Sequence, residues 1–120
     1  MSRRPVAKRG DVVLVLFPNS DLRTAKTRPA LVVQGDGLET GLDQVLVAMI
    51  SSRMFRAGHP SRVTVPRHSP AGIQSGLLGD SVVMTDNLAT VLESAVSDVI
   101  GQLPMAEVES ALRHTFGLPG

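Results

Sequence analysis

The chain contains no cysteine, tryptophan or tyrosine. Without cysteine there is neither a disulfide framework nor a thiolate metal site, and a reducing cytoplasm suits such a chain. With Phe17, Phe55 and Phe116 as its only aromatic residues, it cannot offer the several exposed rings on which RRM or OB domains stack single-stranded bases. Nucleic-acid binding, if present, must therefore rest on charge and hydrogen bonds. No run approaches twenty apolar residues, and the basic segment 1–9 leads into a strand-like stretch without the apolar core of a signal peptide. The reading is a soluble protein with no membrane partner.

What is present fits one domain spanning 1–120, since 120 residues at 42% apolar content can build a single ordinary core. The net charge of +1 conceals an asymmetry: residues 1–67 hold 11 of the 12 Lys and Arg against 5 acids, while 68–120 hold Arg113 against 6. A basic half suits a polyanion, because neutralised phosphates release counterions; an acidic half serves a basic partner or solubility.

Short β-branched runs bounded by turn residues predict strands at 11–17, 30–34, 44–50, 62–65, 81–84 and 96–103. Residues 18–21 have turn chemistry, and the polar stretch to Thr27 reads as a surface loop. Pro29 is expected at a strand beginning, where its missing N–H does no harm. Residues 51–60 and the glycine-rich stretch 72–79 read as connections. Pro104, early Glu107 and Glu109, late Arg113 and His114, then Gly117 and Pro119, delimit a terminal helix. Its Val108, Ala111, Leu112 and Phe116 recur at helical spacing and are expected to close the core. Such short spacings favour antiparallel pairing over βαβ units, so the fold class is mainly β (α+β): a small bent antiparallel barrel with one C-terminal α-helix.

Three stretches have a further significance together: Arg9-Gly10-Asp11-Val-Val, Lys26-Thr27-Arg28-Pro29-Ala-Leu-Val-Val, and Asp80-Ser-Val-Val-Met84-Thr-Asp86-Asn87-Leu-Ala-Thr90. In order and spacing they resemble the MazF/PemK family of toxin–antitoxin ribonucleases. Val47-Ala-Met-Ile-Ser51 and the closing 105–118 segment extend the resemblance over nearly the whole chain. It implies an SH3-like barrel, a cytoplasmic homodimer and sequence-specific, metal-independent cleavage of single-stranded RNA without a cofactor. A cognate antitoxin would restrain that activity.

Cutting RNA without a metal needs a group to take the 2′-OH proton, donors for the crowded phosphate, and an acid for the departing 5′-oxygen. The resemblance gives Arg28 the phosphate, its guanidinium offering several fixed donors beside a backbone that Pro29 restrains; otherwise Arg28 is a salt-bridged residue opening a strand. Ser51 stands where the family usually has Thr, keeping the hydroxyl, or else caps a turn. Asp86 matches an acidic position that some members use in proton transfer, or it forms a turn beside Asn87. Met84 occupies the place of a second Arg in those members, Ala89 replaces a frequent Arg, and their first-loop His is missing. Asn87 resembles a Gln that touches bases. Arg23, Lys26, Thr27 and Arg53 are candidate RNA contacts, or solvated loop residues. His59, His68 and His114 belong to no motif and lack metal-ligand spacing. A gyrase-poison toxin on the same barrel is the binding-module alternative, though those end in a Trp that this chain lacks; a catalytically degenerate barrel is the other.

Overall fold

The computed structural model describes residues 7–18, 21 and 23–120, with the side chains of 17 and 18 excepted. Six strands form one sheet: β1 (Asp11–Pro18), β2 (Ala25–Val32), β3 (Gln44–Ser51), β4 (Arg62–Val65), β5 (Ser81–Leu92) and β6 (Val96–Gln102), with helices α1 (Pro70–Ser75) and α2 (Ala106–Phe116). Neighbours run in the order β4-β5-β3-β2-β1-β6, and every pairing is antiparallel. The turn reading of 18–21 and the basic segment before Ala7 lie wholly or partly outside the described residues.

Alternation along the strands sends apolar residues to both faces of the sheet. Val12, Leu31, Ala48, Ile50 and Val83 pack on one face with Leu103 and Val108. Val13, Val15, Ala30, Val32, Val45, Val47 and Val91 gather in a second cluster. With buried residues on alternate positions of both faces, the sheet must curl, and register shifts in β1–β6 and β3–β5 supply the bends.

Three expectations need correction. The stretch before Thr27 is not all loop: β2 begins at Ala25, because pairing with β1 from Ala25↔Pro18 to Leu31↔Val12 holds its polar half extended. The connection 72–79 begins inside α1, which has the caps a helix needs: the Ser69 hydroxyl accepts from Gly72 N–H, Pro70 opens it, and Gly76 closes it in the left-handed region at φ 73°. Phe116 is not core; it is 56% exposed, whereas Val108 and Ala111 are buried. Gly117 N–H, bonding back to His114, ends α2 one turn past its last buried residue.

Candidate functional site

The site begins with a proline. Val32 C=O accepts from Gly10 N–H, on the β1 side, while Val33 N–H donates to Leu46 C=O, on the β3 side. Backbone groups alternate along a strand, so residue 29 faces β3, where it would donate to Ile50 in the prevailing register. Pro29 has no hydrogen to give, and the β2–β3 ladder accordingly stops at Ala30↔Met49. The expected strand beginning is thus the fifth position of β2, where the missing donor faces the strand with which pairing ends.

Beyond this point the two strands part. Continuing the register would set Arg28 against Ser51 and Lys26 against Arg53, and these four line a groove of about 890 Å³ in the gap. Thr27, Pro29, Arg56, Met84 and Asn87 line it as well, and Gly76, Leu77, Leu78, Gly79 and Asp80 after α1 form another part of its wall. Lys26, Arg28, Arg53 and Arg56 set four cations against the single carboxylate of Asp80, which accepts from Arg67 N–H. Among the described residues, ion pairs join Arg9 and Arg113 to Glu109 and Arg62 to Asp86, and none involves a groove cation. An electropositive groove whose cations have no ion-pair partner among the described residues is suited to a chain of phosphates.

Arg28 is exposed on β2 and faces this space. Ser51 is half-buried, and its Oγ accepts from Arg53 N–H at 3.1 Å. The turn-capping role and the donor role coexist, since a hydroxyl that accepts through a lone pair still has its own proton to donate. Asn87 reaches the groove from β5, at the point where pairing with β3 jumps from Leu88 to Met84 and leaves residues 85–87 unmatched. Thr85 anchors this irregularity: it is fully buried, and both its N–H and its Oγ1 donate to Ser61 C=O, at 3.0 and 2.6 Å.

Two sequence candidates stand apart. Asp86 is not in the groove lining; its carboxylate receives Arg62 Nη2 at 2.9 Å, and that hydrogen bond holds its pKa below the ordinary carboxylate value. Arg23 is also outside the lining, where its N–H, with that of Thr24, donates to Asp21 and lowers that carboxyl's pKa. Arg56 went unremarked in the sequence, although the Arg53/Arg56 spacing of three residues suits one face of a 3₁₀ turn, which the chain forms at Met54–Arg56. Among the described residues no three His, Asp or Glu stand together to hold a metal ion, and no helix is long and apolar enough to cross a membrane.

Comparison with known proteins extends this picture. Residues 8–116 match the family model described as PemK-like, MazF-like toxin of type II toxin-antitoxin system. Endoribonuclease MazF6 of Mycobacterium tuberculosis is 33% identical over 107 residues, covering 86% of this chain and 90% of the relative. Endoribonuclease MazF2 of Mycobacterium bovis matches equally, at 33% over 107 residues. Among solved structures, an endoribonuclease in complex with its cognate antitoxin from a mycobacterial species superposes with a TM-score of 0.71 at 21% identity, covering 95% of this chain and 98% of that one. MazE-MazF from Deinococcus radiodurans gives 0.70 at 23%, covering 97% and 100%.

Proposed function

Because the chain belongs to the PemK-like, MazF-like toxins of type II toxin–antitoxin systems, we propose that its groove binds single-stranded RNA and cuts it without a metal. The protein is an endoribonuclease toxin, like its curated relatives. The observation that carries the mechanism is the splayed end of β2 and β3, which sets Arg28 and Ser51 on facing strands of an open groove. A scissile phosphate between them would receive the Arg28 guanidinium and the Ser51 Oγ–H on its non-bridging oxygens, stabilising the charge that grows as the 2′-oxygen attacks. As the O2′–P bond forms, the 2′-OH proton passes to water admitted by the open groove; the P–O5′ bond breaks and O5′ takes a proton from water, leaving a 2′,3′-cyclic phosphate and a 5′-OH. Lys26, Thr27 and Arg53 hold neighbouring phosphates, and Asn87 reads a base edge. Asp86 serves the site differently from a general base: its carboxylate is occupied by Arg62, and a lowered pKa makes it a poorer proton acceptor.

The same reading gives the protein two partners, a cognate antitoxin that covers the groove and a second copy of the chain, and places its action in the cytoplasm. Leu16, Leu42, Leu92 and Val99, each more than half exposed, provide apolar surface that a homodimer could cover. Exposed Phe116 leaves a C-terminal aromatic available, the feature that a gyrase poison would need; the endoribonuclease relatives decide against that reading.

The experiment is cleavage of a varied single-stranded RNA pool in EDTA at low salt, with end-mapping of the products. Wild-type protein should cut at a short recurring sequence. Arg28→Ala should reduce kcat/KM by at least about a hundredfold, the scale of losing one preorganised oxyanion donor, with an unchanged melting temperature because the side chain is exposed. An intact RNA pool would overturn the reading.

A further inference from the structure

We infer that Arg56 is a phosphate-binding cation of the groove, and that Asp86 is its positioning residue, acting through Arg62. Arg56 is half-buried and lines the groove, with its Nη1 3.5 Å from Met84 Sδ. A thioether is a weak acceptor, whereas a guanidinium carries five N–H donors that a phosphate satisfies far better. Among the described residues no carboxylate pairs with Arg56, although Arg9, Arg62 and Arg113 all have such partners. A cation kept partly desolvated beside sulfur contributes little to stability. It is placed as a group awaiting an anion would be.

The placement is built from the backbone upward. Arg56 N–H donates to Arg53 C=O at 3.0 Å, closing the turn that follows Ser51, and its guanidinium carbon lies 5.6 Å from the centre of the Phe55 ring. Arg62 Nη1 donates to Arg56 C=O at 3.1 Å, while its Nε and Nη2 reach the Asp86 carboxylate at 3.4 and 2.9 Å. One guanidinium therefore ties the Arg56 turn to the irregularity of β5. Removing the Asp86 charge frees Arg62, and the carbonyl it holds is that of the residue that reaches into the groove. This also gives Asp86 a part in the reaction from outside the groove lining.

The inference rests on the ribonuclease reading, and its test separates the two. Binding is measured with a 2′-O-methyl oligoribonucleotide of mixed sequence, which cannot be cut because the attacking oxygen is methylated. Arg56→Ala should make the slope of log Kd against log salt shallower by about 0.7, the contribution of one phosphate contact on a single strand. On unmodified RNA the same variant should lose about tenfold in kcat/KM, mostly through KM, and Arg56→Lys should recover most of it. Arg56→Gln, which keeps the length of the stem, replaces Ala should Ala unfold. Asp86→Asn should weaken binding in the wild-type background and add nothing to Arg56→Ala. A wild-type salt slope and kcat/KM in Arg56→Ala and Arg56→Gln would overturn the assignment. So would an Asp86→Asn loss of equal size in both backgrounds, because Asp86 would then act directly. Intact unmodified RNA with a changed salt slope would refute cleavage and leave Arg56 as a phosphate ligand.

Discussion

Gly101→Ala tests the packing that holds up one wall of the groove. Gly101 lies on β6, outside the left-handed region, so alanine strains no backbone angle there and any cost is steric. Its Cβ would overlap the backbone carbonyl of Ser75 and the carbonyl oxygen of Gln74, well inside the 3.0 Å that real Cβ atoms respect. Gly76, with φ 73°, makes the reciprocal approach to the Ile100 carbonyl, so α1 and β6 touch backbone to backbone. No flexible side chain can yield, and α1 must retreat by about 1 Å. Overpacking of this kind costs about 1–3 kcal/mol, and the upper end applies where both surfaces are backbone. The lower entropy of alanine in the unfolded chain returns about 0.5–1 kcal/mol, leaving a net loss of about 2 kcal/mol. For a domain of this size the melting temperature should fall by about 8 °C, read by calorimetry at one fixed protein concentration because oligomers shift it. Gly58→Ala is the control: φ is 91° and nothing lies within 4 Å, so only backbone strain of about 1 kcal/mol remains. RNA cleavage should fall in Gly101→Ala as well, since the wall after α1 moves with the helix. Melting of Gly101→Ala within 2 °C of wild type would refute the argument that the contact is unyielding.

Thr85→Val removes a buried hydroxyl that donates to Ser61 C=O and meets Thr115 Oγ1 at 2.7 Å; chemical denaturation should show a loss of about 1–3 kcal/mol, because Thr115 is left without its partner. The Asp86 pKa is lowered chiefly by the Arg62 hydrogen bond, so its stabilising contribution is complete above the ordinary carboxylate pKa of about 3.9 and fades as pH falls through the lower folded value. Acid titration of stability should therefore be less steep in Asp86→Asn below about pH 4, with part of the slope remaining because Asp21 shifts in the same direction. Pro29→Val restores a donor facing β3, and the added ladder bond, about 1 kcal/mol, is roughly offset by lost chain restriction. Melting should barely change while kcat/KM drops several-fold as the ladder extends toward Arg28 and Ser51; undiminished cutting would show that the proline does not hold the groove open.

The strands most legible in the sequence were those whose own residues settle the matter. Val12, Val13 and Val15 prefer extended backbone and are buried, so β1 is specified locally, as is β4 by its alternation. The first half of β2 was missed because Ala25, Lys26 and Thr27 carry no apolar signal, and what holds them extended is β1, a partner chosen by the fold. α1 was hidden because Gly72 and Gly76 read as loop, although close approach explains both: a Cβ on Gly72 would strike the Pro66 carbonyl, and one on Gly76 that of Ile100. Phe116 fits the apolar face of α2 by spacing but is exposed, while its neighbour Thr115 meets the sheet through Thr85, a contact that periodicity cannot reveal.

The site was legible as residue types and illegible as an arrangement. Arg28 and Ser51 are far apart in the sequence, and nothing in either segment states that the β2–β3 register would set them against each other. Arg56 stands out only once the turn at Met54–Arg56 brings it beside Arg53 into the groove lining. The charge asymmetry of the chain then acquires a physical meaning. Fixed partners in the acidic half neutralise some first-half cations, Arg9 by Glu109 and Arg62 by Asp86. Those on the two splayed strand ends and the turn that follows are left to line one groove. A sheet whose ladder were complete would have drawn Lys26 and Arg28 toward β3 and buried the space between. The interrupted ladder thus creates both the cavity and its field, and it does so with a residue whose only unusual property is the hydrogen it lacks.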